Sequence, residues 1–398
     1  MMKDVLVITR WFPNRYEPAR CVFIKNLLDA QARYTRYNYT LISPVPLFPK
    51  INLPFVSKRF RNFARLDYKE QRNGYTVYRP RYFKLPHPLL KKLEWHTYLD
   101  SVLATIKKEN LSFDLIHSHG LYPDGYVAVK LADYLGKPIV MHVHDSYFEK
   151  KYLVYREKID RIMANSEKII AVSNFQKEIL IGVYPNYVTK ISTIYNGIDI
   201  DKFEIGHYKK RDIVNLVFVG NLTDEKGVDI LIQGIKLLQK HYNKTISLDI
   251  YGEGENKKRY QSMVNRLHLT NVIKFKGVIN NDVLPQYLKE YSLFVLPSRY
   301  ETFGVVLIEA MASGVPIVAT RAGAIPEIVS SDEVGILVEP NNPRLLAEGI
   351  KKATNRHWNR ERIRDYVQKF SLEHTAKKIE KIYNNILKIN KKEDITYK

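Results

Sequence analysis

The sequence predicts an α/β protein with two doubly wound domains in series, and three observations predict it. Short apolar, β-branched runs alternate with longer segments of helical period through most of the chain. That alternation is the pattern of parallel sheets joined by crossover helices, and here it occurs twice. With 398 residues the chain is also too long for one ordinary core, while 45% hydrophobic residues suit a folded protein rather than a disordered one.

In the first half the expected strands are 5–9, 39–43, 115–119, 138–143 and 168–173. In the second they are 215–220, 246–252, 272–277, 292–298, 316–320 and 335–340. The helices between them carry start signals and faces. Ser173 with Gln176 three residues on is a capping-box pattern. Val228, Leu231, Ile235 and Leu238 fall on one helical face. Strand pattern gives way to Asn, Gly and Asp near 195–203, which sets an N-terminal domain at 1–197 and a C-terminal one at 198–369, followed by a helix at 370–398. The glycines of "GEGENK" (252–257) lack the third glycine of a dinucleotide fingerprint and read as a turn.

Residues 45–95 do not fit the alternation. In 54–66, Val56, Phe60 and Phe63 lie along one helical side with Lys58, Arg59, Arg61 and Arg65 mainly elsewhere, and 81–95 mixes bulky apolar residues with lysine. Two readings of 54–95 stand side by side: an interfacial element on an anionic membrane surface, or a solvated helix packed on its own domain.

A single cysteine, Cys21, rules out an intrachain disulfide and any cysteine cluster for zinc or iron–sulfur. The N-terminus has too short an apolar run for a signal-peptide core, and no stretch reaches the ~20 apolar residues of a spanning helix. The expectation is a cytoplasmic protein, peripheral on the inner face of the cell membrane if 54–95 binds lipid. The net charge of +21 calls for an anionic partner: nucleic acid, a membrane surface or a phosphorylated substrate. Residues 1–200 hold 31 Lys and Arg against 18 Asp and Glu, and the rest 32 against 24, so the charge is spread over both halves.

Open parallel sheets bind ligands outside the carboxyl ends of their strands, so chemistry is expected directly after strands. The stretch "SRYETFGVVLIEAMASGVPIVAT" (298–320) fits that expectation. Its helix opens near Gly304, where free N–H groups and the positive dipole end suit a phosphate, and a glycine lets a ligand approach the backbone. Glu309 lies two turns inside an otherwise apolar helix with no basic residue a turn away. A carboxylate there suits a pair of vicinal ribose hydroxyls, or else an ion pair with a distant Lys or Arg.

"ETFGVVLIE", with "DLIHSHGLYPDGYVAVKLADYLGKPIVMHVHD", "NGIDIDKF", "VFVGNLTDEKGVDILI", "AGAIPEIV" and "GILVEPNN" in that order, resembles the retaining glycosyltransferases of family 4 over almost the whole chain. The resemblance implies the GT-B fold, two Rossmann-like domains facing a central cleft. It gives Glu309 the nucleotide ribose and Glu301 the donor sugar and its phosphates. Backbone N–H groups of Phe303, Gly304, Val305 and Val306 would meet the diphosphate, and Lys226 would neutralise it as it leaves. His119 would sit beside the sugar hydroxyls, with His144 facing the same cleft; choosing His119 over His117 rests on the resemblance alone. The segment 370–389 resembles the family's terminal helix, which crosses back to the N-terminal domain.

Three positions depart from the family. Asn221 stands where many members have an arginine, so that a phosphate-binding cation is either absent or supplied elsewhere, as by Arg299. Cys21 replaces a glycine in a loop that approaches the diphosphate, and Ala324 replaces another glycine.

The resemblance implies a hexosyltransferase moving a sugar from a nucleotide diphosphate sugar to a lipid-linked or saccharide acceptor in cell-envelope or extracellular polysaccharide biosynthesis. The N-terminal block looks closest to bacterial exopolysaccharide and teichuronic-type enzymes. No metal and no cofactor beyond the sugar nucleotide co-substrate is expected. The rival readings are a sugar-nucleotide epimerase of the same fold and a basic nucleic-acid-binding protein. The latter has no recognisable motif, and no nucleic acid is expected as a partner.

Overall fold

The computed structural model describes residues 2–18, 20–48, 58–84, 93–145, 148–206, 213–241 and 245–396, the side chains at 58–60, 240–241 and 389–396 excepted. The chain falls into two compact units, Met1–Tyr195 with Leu372–Lys398, and Asn196–Ser371. Each folds around its own sheet.

The strands of the first unit are β1 (Lys3–Ile8), β2 (Tyr37–Ile42), β3 (Val45–Pro46), β4 (Lys69–Arg72), β5 (Tyr75–Tyr78), β6 (Arg81–Tyr82), β7 (Leu115–His119), β8 (Ile139–Val143), β9 (Lys168–Ala171) and β10 (Ile191–Thr193). Eight of them form one sheet in the order β10-β9-β8-β7-β1-β2-β5-β4, parallel throughout except for the β4–β5 hairpin, and β3 pairs with β6. The helices are α1 (Val22–Tyr34), α2 (Lys58–Ala64), α3 (Glu94–Lys108), α4 (Tyr126–Leu135), α5 (Phe148–Asn165) and α6 (Asn174–Val183).

Both faces of this sheet are covered, so the central strands β7 and β8 are buried at every position rather than alternating between buried and exposed. On β1, Val5 and Val7 pack with Ile24, Leu27 and Leu28 of α1, while Leu6 and Ile8 pack on the other side with Tyr98 and Val102 of α3 and Val127 and Leu131 of α4. Full burial of each such aliphatic side chain stabilises by roughly 2 kcal/mol. Helix α6 starts as its sequence dictates: Ser173 Oγ accepts from Gln176 N (3.0 Å), and Gln176 Oε1 accepts from Val172 N (3.0 Å).

The second unit has six parallel strands, β11 (Ile213–Val219), β12 (Thr245–Tyr251), β13 (Ile273–Gly277), β14 (Leu293–Leu296), β15 (Ile317–Thr320) and β16 (Gly335–Val338), in the order β13-β12-β11-β14-β15-β16. Its helices are α7 (Val228–His241), α8 (Lys257–Arg266), α9 (Leu284–Leu288), α10 (Val305–Ala312), α11 (Ile325–Ile328), α12 (Pro343–Asn355) and α13 (Arg360–Tyr366). The face of α7 marked in the sequence, Val228, Leu231, Ile235 and Leu238, is buried. After Ser371 the chain enters α14 (Leu372–Thr396), an element of the first unit. Leu372, Ala376, Ile379, Tyr383 and Ile386 recur every three or four positions and join the core around α1. Tyr383 Oη accepts from Gln31 Nε2 (3.1 Å), fixing the two helices in register.

The segment that broke the alternation contains β3, α2, the β4–β5 hairpin and β6. Part of its described apolar surface turns inward, where Phe63 and Leu66 pack with Val45 and Tyr82 stacks on Tyr98 at 5.3 Å between centroids, while Leu47, Phe83 and Leu93 are exposed. The remainder of the expected interfacial element, 54–57 and 85–92, lies outside the described residues. Among the described residues no helix is long and apolar enough to cross a membrane.

Candidate functional site

In the second unit three loops meet beyond the carboxyl ends of neighbouring strands. The loop after β11 makes a tight turn at 224–226 and ends on Gly227, whose φ of 63° is left-handed. A Cβ there would lie 2.1 Å from the carbonyl oxygen of Pro297, so only glycine lets this turn settle against the end of β14. The contact is reinforced by Arg299 N donating to Glu225 O (2.6 Å). The loop after β15 closes the third side, where Gly323 approaches so near that a Cβ would sit 2.1 Å from Glu301 O, and Ala324 N donates to that oxygen (2.9 Å).

This packing sets Lys226 against Glu301, with Nζ 2.5 Å from Oε2. Glu301 is buried at 8% exposure, while the Lys226 side chain is 22% exposed and remains reachable from solvent. Phe303 anchors the loop by burying its ring against Phe370, 6.1 Å away. Gly304 then caps α10 at φ 90°, and Leu307 N bonds to Gly304 O (2.9 Å). Among the described residues no protein group accepts from the N–H groups of Val305 and Val306, which leaves the positive end of α10 open to an anion.

Glu309 lies on the second turn of α10, half-buried. Among the described residues its carboxylate has neither a hydrogen-bond partner nor a cation, and burial pushes its pKa up to about 7. The ion-pair alternative for Glu309 therefore finds no partner among the described residues. An unpartnered acid beside open amides suits a ligand carrying both hydroxyl donors and a phosphate.

Arg299 has other work than the one expected of it. Its fork grips both oxygens of Asp229 (2.9 and 2.8 Å), and it also donates to Asp224 O (2.6 Å) and Asn341 Oδ1 (2.6 Å). That commits four of its five N–H groups to tying α7 to the loop after β14, leaving little for a phosphate. Asn221 is exposed just beyond β11, where it adds no charge.

In the first unit, histidines gather at the ends of β7 and β8. His119 is in register with His142, and His119 Nδ1 lies 2.9 Å from His144 Nε2. His117 faces α14 instead, its Nδ1 hydrogen-bonded with Tyr383 Oη at 2.5 Å. The two histidines of "HSHG" thus differ: His117 is tied into the core with Tyr383 and Gln31, and His119 pairs with His144 beyond the strand. Desolvation lowers the pKa of all four rings, that of His119 to about 3, so they are neutral at pH 7. His119 accordingly offers hydrogen bonds rather than charge. Ring nitrogens of His117, His119 and His142 come within 4.8 Å of one another, a grouping of metal-ligand type that the sequence reading did not foresee.

Cys21 caps α1 at φ 45°, ψ 43°, a left-handed conformation that costs an L-residue roughly 1–2 kcal/mol and that glycine takes freely. Its thiol is half-buried, and burial raises its pKa to about 11. The sequence reading also missed the buried Asp124, which accepts from Arg10 N (2.6 Å) and Tyr98 Oη (2.8 Å). Its signal was an acid inside an apolar run, the same signal that marked Glu309.

Two family descriptions cover this chain: Glycosyltransferase Family 4 matches residues 5–202, and Glycosyl transferases group 1 matches residues 198–370. An uncharacterized glycosyltransferase of Methanocaldococcus jannaschii is 32% identical over 307 residues, 75% of this chain and 84% of that protein. The putative teichuronic acid biosynthesis glycosyltransferase TuaC of Bacillus subtilis is 26% identical over 367 residues, 87% of this chain and 88% of its own. Among solved structures, Anabaena HepE in complex with UDP superposes with a TM-score of 0.70 at 20% identity, over 96% of this chain and 100% of that one, which shows the GT-B fold. With two Rossmann-like units and the two-glutamate loop in place, this chain belongs to the family 4 glycosyltransferases of GT-B fold.

Proposed function

We propose that the protein is a retaining glycosyltransferase that moves a sugar from a uridine diphosphate sugar to an acceptor hydroxyl in envelope or extracellular polysaccharide assembly. The observation that carries this reading is the Lys226–Glu301 pair beside the open N-terminus of α10 and the unpartnered Glu309. The uridine base is taken from HepE, solved with UDP, and the polysaccharide context from TuaC.

In this reading the Val305 and Val306 amides hold the diphosphate, and Glu309 accepts from two ribose hydroxyls. Glu301 accepts from a sugar hydroxyl, while Lys226 turns its charge to the phosphate oxygens. The bond from sugar C1 to the diphosphate oxygen breaks, and a bond from C1 to the acceptor oxygen forms on the same face. The acceptor proton passes to the leaving diphosphate oxygen, so no protein nucleophile is required. Positive charge fixed at that oxygen acts where negative charge develops, and one such donor is typically worth about 100- to 1,000-fold in kcat. His119 keeps the role that the resemblance gives it, a neutral hydrogen-bonding partner of a sugar hydroxyl.

The test is the anomeric configuration of the product, followed by proton NMR with an α-linked uridine diphosphate sugar. An α-linked product is expected; a β-linked product would make the enzyme inverting.

A further inference from the structure

Beyond the carboxyl ends of β1, β2 and β5 the first unit holds a cavity of about 170 Å³. It is smaller than the roughly 300–1,000 Å³ of a drug-sized ligand site, so it suits a small group rather than a whole oligosaccharide. Four of its walls are cations, Arg10, Arg20, Arg79 and Lys84, and among the described residues no acidic side chain lines it.

The guanidinium groups are held from outside the cavity. Arg10 is anchored by Glu94 (2.9 Å) and Asp124 (3.3 Å), and Arg20 by Glu17 (2.7 Å). Arg79, only 3% exposed, has Glu70 at 2.6 Å, but Glu70 is shared with Arg72 at 2.7 Å, so one carboxylate faces two cations. Arg20 Nε is buried with no acceptor. Trp11, 36% exposed, sits under two of these groups, with Arg20 4.4 Å and Arg10 5.7 Å from its ring centroid. The result is a set of pre-oriented forks around a small space at the ligand-binding end of the sheet.

We infer that this cavity binds a phosphate or diphosphate group of the acceptor, so that the acceptor is phosphate-bearing. The inference rests on the glycosyltransferase reading for the word acceptor, but the anion site stands on its own residues. Two sources share this chemistry, a lipid-linked diphosphate sugar and a soluble sugar phosphate.

The experiment is calorimetry with inorganic pyrophosphate on the full chain saturated with UDP, which occupies the nucleotide site first. Pyrophosphate is expected to bind the UDP-saturated protein, at least tenfold more weakly after Arg20→Gln and after the milder Arg79→Lys, with UDP affinity unchanged after Arg79→Lys, which lies outside the loop of Cys21. No binding, or equal affinity in both variants, overturns the anion site. Failure of UDP to bind the wild-type chain would instead strike the nucleotide-sugar reading and leave the pyrophosphate result to be read alone. Transfer assays then compare a polyprenyl-diphosphate-linked monosaccharide, a hexose phosphate and the free hexose. A preference for either phosphate-bearing acceptor, with KM raised about tenfold or more by Arg20→Gln and kcat little changed, supports the inference and names the source. Equal use of the free hexose overturns it.

Discussion

Lys226 Nζ lies 2.5 Å from Glu301 Oε2, joining the turn after β11 to the loop after β14 across 75 positions of sequence. Neither residue has a close partner in its own loop, and each is delivered by a glycine that lets backbones approach: Gly227 on Pro297 O and Gly323 on Glu301 O. Removing Lys226 leaves Glu301 largely buried and unpaired, which costs on the order of 1–3 kcal/mol. Lys226→Ala is expected to lower kcat about 100-fold or more and to shift the melting point by only a few degrees. A kcat within threefold of wild type would remove Lys226 from the chemistry.

Glu309 predicts a proton count. Its native pKa of about 7 stands above the ordinary 4.5, because burial disfavours the charge. The native state therefore holds a proton that the unfolded state has lost between pH 4.5 and 7, and stability contributed by this group falls as pH rises through that window, by up to about 3 kcal/mol. Glu309→Gln should be more stable than wild type at pH 8 and similar at pH 4. In the proposed role two ribose hydroxyls bind the ionised form, and UDP binding near pH 6.5 should then release a proton, seen as a binding enthalpy that depends on the buffer. Buffer-independent enthalpy would place the ribose elsewhere.

The histidine group predicts the opposite limb. Burial lowers the pKa of His117, His119, His142 and His144 from 6.5, so the unfolded chain takes up protons that the native rings refuse. Their contribution is whole above pH 6.5 and is lost as pH falls toward about 3, by up to about 1.4 kcal/mol per pH unit for each ring. Denaturant unfolding at pH 7, 6 and 5 should show this loss, and His142→Asn should flatten it by one proton. An unchanged slope in the variant would mean that His142 is protonated in the native state.

Transfer is expected to persist after dialysis against EDTA, because in the proposed mechanism Lys226 and the α10 amides supply the positive charge for the diphosphate. Activity lost to EDTA, restored by a divalent ion and absent in His142→Ala would instead put a metal among His117, His119 and His142.

Much of this was legible in the sequence where one physical signal dominates. Strand β15 (Ile317–Thr320) and helix α10 (Val305–Ala312) run within a residue of their reading, because nearly continuous apolar stretches between turn signals have few alternatives. The β4–β5 hairpin was not legible: β4 reads "KEQR", a polar edge strand whose extended form comes from pairing with β5. The commitment of Arg299 to Asp229, 70 positions away, was invisible for the same reason: ion pairing between distant segments is decided by the fold. Cys21 was half legible. Its place in a glycine position of the family marked it, and the cause, a left-handed cap on α1, needed coordinates. For Glu309 the sequence showed the absence of a cation one turn away, and the structure extends that absence to every described residue.

The central claim is that α10 and its two glutamates hold a nucleotide diphosphate sugar. It is tested most directly by the melting midpoint of the wild type and of Glu309→Ala against UDP-, GDP-, ADP- and dTDP-sugars. A ligand at 100 times its Kd should stabilise the native state by about 2.7 kcal/mol. The account predicts a rise with the UDP-sugars that disappears in Glu309→Ala. No rise with any donor, or an equal rise in the variant, would contradict it.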